Sequence, residues 1–184
     1  MIRGEVESIR QDNPLRFYEG SVEDKLRLAR SINALYGATL QRLPGVPELL
    51  ERLIVLAEQL GNRMRNMNMD SLCAVCGGED RGGCCSIEMA DNSDALLLTM
   101  NLLLGCVVEF RRNDGFECYF LGKRGCTLLL KPMFCLNYNC CKIHRHNPAA
   151  AMTGLERSSG RLLRAQTQLE SILIVHLRNR RLEL

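Results

Sequence analysis

Asn92-Ser-Asp-Ala-Leu-Leu-Leu-Thr-Met-Asn-Leu-Leu-Leu-Gly105 reads as one helix with both ends marked. Asn92-Ser93-Asp94 offers an N-cap, the apolar body runs from Ala95 to about Leu104, and Gly105 is placed to stop it. The apolar run continues to Val108 but is broken by Thr99 and Asn101, and it is too short for the roughly 20 residues that span a bilayer. The expectation is a buried core helix and no membrane association.

Cysteines lie on both sides of this helix. All ten fall between Cys73 and Cys141, with none in the first 72 or the last 43 residues. Upstream stand Cys73-Ala-Val-Cys76 and Cys84-Cys85, with Gly77, Gly78, Gly82 and Gly83 among them, a glycine density that fits a loop folded closely around an ion. Downstream come Cys106, Cys118, Cys126, Cys135 and Cys140-Cys141. Thiols this crowded are expected to ligate a metal or be oxidised. The N-terminus, Met1-Ile-Arg-Gly-Glu-Val-Glu, carries charges where a secretory leader would be apolar, so a cytoplasmic location is expected. In that reducing compartment structural disulfides are rare, which favours metal ligation.

The candidate ligands are Cys73, Cys76, Cys84, Cys85, Cys118, Cys126, Cys135 and Cys140. Cys73-x-x-Cys76 has the spacing that lets two sulfurs reach one ion. Adjacent side chains in an extended segment point to opposite sides, so Cys84 and Cys85 could serve different centres, and Cys141 reads as an alternate to Cys140. Cys106, directly after the apolar helix, reads as a small core residue. His144 and His146 lie in a basic stretch from Lys142 to Arg145 and read as solvated, with a nitrogen ligand as the alternative; His176 belongs to the last helix. Both zinc and iron-sulfur clusters accept four thiolates. A single CxxC departs from zinc-ribbon pairing and tilts the expectation towards iron-sulfur, with a 4Fe-4S cluster favoured and Zn2+ the alternative.

These residues resemble the CxxCxxCC (YkgJ-like) family, described as zinc- or iron-chelating. Its pattern is a cysteine knot ending in Cys-Cys, an acidic-capped helix ending near Leu-Gly, then C-x-F-L, Gly-Cys, and Arg-Pro-x-x-Cys followed by an aromatic. The corresponding residues are Cys73-Ala-Val-Cys76 with Cys84-Cys85, then Asp94 and Leu104-Gly105, then Cys118-Tyr-Phe-Leu121, Gly125-Cys126, and Lys131-Pro-Met-Phe-Cys135 with Tyr138 and Cys140. Seven residues separate Cys76 from Cys84 where the family name implies two, and Lys131 stands in place of arginine. The resemblance covers about Ser71 to Lys142 and implies a chelated metal.

Outward from the cysteines the chain reads as helix. Ser21-Val-Glu-Asp24 looks like a capped start, followed at helical spacing by Val22, Leu26, Ala29, Ile32, Tyr36, Leu40 and Leu43. Pro44-Gly45 ends that helix, and Pro47 opens a second one carrying Leu50, Leu53, Ala57, Leu60, Met64 and Met67. Two neighbours joined so tightly are expected to form an antiparallel hairpin. Short strands are expected at Val107–Phe110, Phe116–Leu121 and Cys126–Leu130. After Asn147-Pro148 a long final helix carries a stripe of Leu155, Leu162, Leu169 and Leu173 and ends in Arg178, Arg180 and Arg181. Packing on the N-terminal helices is the expected use of that stripe, and its near-heptad spacing would also suit a homodimer seam.

The resulting scheme is mainly α, with a small irregular Cys-rich α+β metal-binding module. Residues 1–70 form a helical hairpin, 71–147 the metal-binding module, and 148–184 the C-terminal helix. The net charge of +3 divides as +1 over residues 1–68, −1 over 69–147 and +3 over 148–184, so the basic excess sits in the last helix rather than on a polyanion-binding surface. Familiar catalytic patterns are missing: the sequence has no C-x3-C-x2-C, no H-E-x-x-H, no H-x-E paired with P-C-x-x-C and no phosphate-cradling glycine loop. The function expected is a metal-dependent scaffold or redox module. The alternative is a metalloenzyme with an open coordination position, in which Asp91, Asp94 or Glu117 would be acid-base groups rather than helix-cap or surface carboxylates.

Overall fold

A computed structural model describes residues 14–77, 84–112, 115–123, 125–178 and 180, with backbone only at 14 and 74–77. A short 3-10 turn, Pro14–Phe17, leads into α1 (Val22–Leu40), α2 (Val46–Asn66) and α3 (Met69–Gly77). Then come α4 (Ile87–Ala90), α5 (Ala95–Leu103), the strands β1 (Leu121–Gly122) and β2 (Gly125–Cys126), α6 (Met133–Asn137), α7 (Cys141–His146) and α8 (Ala149–Leu177). The protein is mainly α. Among the described residues no helix is long and apolar enough to cross a membrane.

α5 is the axis. Asp94 caps its start by accepting the Leu97 N–H at 2.8 Å. Its end closes as a Schellman turn: the Gly105 N–H donates to Leu102 O at 2.9 Å and the Cys106 N–H to Asn101 O at 3.0 Å. That turn needs the left-handed φ of +77° that Gly105 adopts. Every residue from Ala95 to Asn101 is buried, as the apolar run requires. α1 packs on one side of α5 and α8 on another, while α2 lies along α8.

The expected hairpin is therefore corrected in its partners. α1 starts with a full capping box, the Ser21 Oγ accepting the Asp24 N–H and the Asp24 carboxylate accepting the Ser21 N–H, both at 3.2 Å. Beyond the Pro44-Gly45 turn, however, α1 takes α5 as its main neighbour and α2 takes α8. The reason is the apolar area that α5 and α8 offer: α5 is buried all round, and Leu155, Leu162, Leu169 and Leu173 of α8 are at most 1 % exposed. Those four leucines are spent within the chain and are not exposed for a homodimer seam. Arg16 reaches the far end of α8 and donates to Leu177 O at 2.7 Å, supplying a helix C-cap from the opposite end of the chain.

Two cores result. The larger unites α1, α2, α5 and α8 around Ile32, Leu53, Leu96, Leu155 and Leu169. In the smaller, Val22, Leu26 and Ala29 of α1 and Leu98 of α5 meet Ala90, Val108, Phe120 and Leu128 of the irregular region. Among the described residues the expected strands shrink to the ladder Leu121↔Cys126 and Gly122↔Gly125, with one isolated bridge between Ser86 and Glu117. Helix side chains take the place of a sheet by satisfying the backbone there. Arg30 donates to Val108 O at 3.0 Å, Lys25 to Asp91 O at 2.9 Å and Gln166 to Lys131 O at 3.2 Å.

Candidate metal centre

Asn101, buried in α5, anchors the downstream cysteine segment. Its Oδ1 accepts the N–H groups of Leu129 (2.9 Å) and Leu130 (3.0 Å), while its Nδ2 donates to Leu97 O (2.9 Å) and Leu130 O (3.0 Å). All of that amide's hydrogen-bonding capacity is used. In the sequence Asn101 looks like a flaw in an apolar run; in the structure it fixes the chain between Cys126 and Cys135.

The upstream pair is fixed to the downstream segment through backbone bonds. The Cys118 N–H donates to Cys85 O at 2.8 Å and the Ile87 N–H to Phe116 O at 2.9 Å. Cys126 stands opposite Leu121 in the ladder, and the Leu121 N–H returns to Cys118 O at 2.9 Å. Cys73 rides on α3, which packs against β2 and α7. Cys73 and Cys140 border the larger core, and Cys118 and Cys126 border the smaller one, so the thiols gather at the seam between the two.

Their mutual influence is visible in their acidity. Burial, and after it the neighbouring Cys73, Cys126, Cys118 and Cys135, pushes Cys85 up to about 12. Burial and then Cys126 and Cys118 push Cys135 to about 12, against the opposing pull of Lys131. Cys118 rises to about 11, from burial first and then Cys126, and burial also raises Cys126. The nine described cysteines are all free thiols. Among the described residues, no three Cys, His, Asp or Glu side chains converge into a ready metal cage. Cys76 sits at the end of α3, with its side chain outside the described residues.

The cysteines differ in exposure. Cys84, Cys135 and Cys141 are exposed and the rest half-buried. Cys73, Cys84, Cys85 and Cys140 line a cleft of about 120 Å3, together with Arg112, Glu117, Lys123 and Lys142. Arg112 is paired with Glu117 at 3.0 Å. Cys106 completes the Schellman turn of α5 and packs against the smaller core. His146 Nδ1 bonds to Lys142 O, one turn back in α7. Lys131 is the residue whose role spacing did not reveal. Its ammonium pulls down the acidity constants of Cys106, Cys126 and Cys135, and the only sequence signal for it was the lysine standing where the resembled pattern has arginine.

Two of the carboxylates weighed as acid-base groups are otherwise engaged: Asp94 is the α5 cap and Glu117 pairs with Arg112. At Asp91 it is the main-chain carbonyl, not the carboxylate, that accepts Lys25. Neither family models, curated proteins nor solved structures gave a match to this chain.

Proposed function

We propose that the region from Cys73 to Cys140 is a metal-binding module that chelates an iron-sulfur cluster or zinc, the cluster being favoured, and that the helical body serves as its scaffold. The single observation carrying this reading is the set Cys73, Cys85, Cys118, Cys126 and Cys135. These thiols come from separated segments, and the other four each lie near enough to Cys85 to raise its acidity constant, as Cys126 does that of Cys118 and of Cys135. Grouping thiols whose ionised forms would repel has no evident packing purpose, whereas a bound cation would hold them as thiolates. The donor set fits such a group in element and number; Cys84 and Cys140, which line the same cleft as Cys73 and Cys85, would be further ligands, and the sequence adds Cys76 to them. A bound cluster supplies one-electron chemistry, while bound zinc supplies a structural crosslink.

The cleft beside Cys73, Cys84, Cys85 and Cys140 favours a second reading, in which a small anionic substrate reaches an open coordination position between Lys123 and Lys142. Anaerobic purification with a visible spectrum, metal analysis and sulfide analysis of one sample tests both. Iron and sulfide in equal amounts with a broad absorption near the blue end are expected. Stoichiometric zinc in a colourless, sulfide-free sample would replace the cluster by zinc, and a sample with neither would end the metal reading. Cytoplasmic residence accompanies the proposal, since it needs reduced thiols.

A further inference from the structure

A second cavity, of about 390 Å3, lies between α5, α6 and α8, on residues that bear none of the cysteines. Leu97 and Met100 of α5 and Phe134 of α6 give it apolar walls, and among the oxygen-bearing residues set into them are Asp94, Gln166 and Glu170, with Asn92 and Thr167 beside them. Among the described residues no lysine or arginine lines it. Asp94 accepts the Leu97 N–H, and Glu170 accepts the Tyr18 hydroxyl. Neither carboxylate is in an ion pair among the described residues. Gln166 is only 5 % exposed. Its Nε2 is committed to Lys131 O, while its Oε1 is buried with no hydrogen-bond partner among the described residues.

A buried acceptor left unmade costs free energy, and two carboxylates facing the same space without a cation repel. Burial, and after the opposing Leu97 N–H the charge of Glu170, raise the Asp94 carboxyl. A ligand carrying positive charge and N–H donors relieves both conditions. The walls select its body: a metal ion gains nothing from the apolar Leu97 and Met100, whereas an ammonium on an apolar group can pack against them and use the aromatic face of Phe134.

We propose that this cavity binds an organic ammonium ion with an apolar body, a small aralkyl- or alkylamine, with Asp94 and Glu170 supplying charge, Gln166 an acceptor and Phe134 a ring. The proposal is independent of the metal centre. Its test is calorimetric titration of the full chain with benzylammonium, with benzyl alcohol as the neutral counterpart and Ca2+ as a separate titrant. Benzylammonium should bind at least tenfold more tightly than benzyl alcohol. The double variant Asp94→Asn/Glu170→Gln keeps shape and cap, and it should lose about tenfold or more in affinity, as expected for removing two nearby charges. If the double variant fails to fold, Glu170→Gln alone, on the partly exposed side, should still weaken binding several-fold. Absence of binding, equal binding of benzyl alcohol, unchanged affinity in the folded variants, or Ca2+ as the only ligand would overturn the proposal.

Discussion

Asn101 shows how much one residue can carry. It makes four hydrogen bonds inside the core and ties the Leu129–Leu130 backbone to α5. Asn101→Leu would strand the buried Leu130 N–H and the part-buried Leu129 N–H, a buried donor costing about 1–3 kcal/mol when left unmade. A loss of roughly 2–4 kcal/mol is expected in urea unfolding by that reasoning. Thr99→Val should cost far less, because the Thr99 hydroxyl only back-bonds to Ala95 O within its own helix. Equal losses for the two variants would contradict the anchoring role. The thiols divide in the same way. Cys126→Ser and Cys85→Ser should remove most bound metal, whereas Cys106→Ser and Cys141→Ser should leave metal content near the native value. Metal and sulfide analysis of the four variants checks the ligand set, and a uniform response would refute it.

At the scale of elements, the caps decide where helices begin and end. Asp94 has a cost as well as a use, since burial first, and Glu170 after it, lift its carboxyl above the ordinary 3.8, against the pull of the Leu97 N–H. A raised folded value means the native state holds that proton more tightly than the unfolded chain. Its contribution is full below about 3.8 and is lost as pH rises through the folded value. Asp94→Asn abolishes this titration and keeps an N-cap. The variant should therefore gain stability relative to the native protein as pH rises from about 4 towards neutrality, read from urea midpoints at several pH values. A pH-independent difference would show that the carboxyl is not strained in this way. Arg16 acts at the other end of α8. Arg16→Ala should free the last-turn carbonyls at a cost of about 1 kcal/mol, seen as faster amide exchange at the end of α8 with little change in α2. The strands are the elements that sequence pattern misplaced. Alternating apolar residues at Val107–Phe110 and Phe116–Leu121 suggested ladders, but only Leu121 enters one; elsewhere the backbone finds partners in Arg30, in a single bridge and in turn bonds such as Arg111 N–H to Tyr119 O. Alternation reports which side of a segment faces a core, and here that core is made by helices.

For the whole molecule, the larger core is built from α1, α2, α5 and α8 without help from most of the thiols. Stripping metal with a strong chelator under reducing conditions should accordingly preserve most of the far-ultraviolet helix signal while raising amide exchange in residues 84–140. Global loss of helix on chelation would mean that the metal holds the entire fold.

Much of this protein was legible residue by residue. The Ser21-Asp24 cap, the Gly105 stop, the helical periods of α1, α2 and α8 and the confinement of the cysteines are local patterns, and local sterics and hydrogen bonding fix them. Partner choice was not legible. Which helix α1 would meet, that the α8 stripe would be used up inside the chain, that Asn101 would be an anchor, and which thiols would face one another all depend on how apolar faces sum over the complete chain. A helix period states that a face must be buried, but only the tertiary packing decides against what.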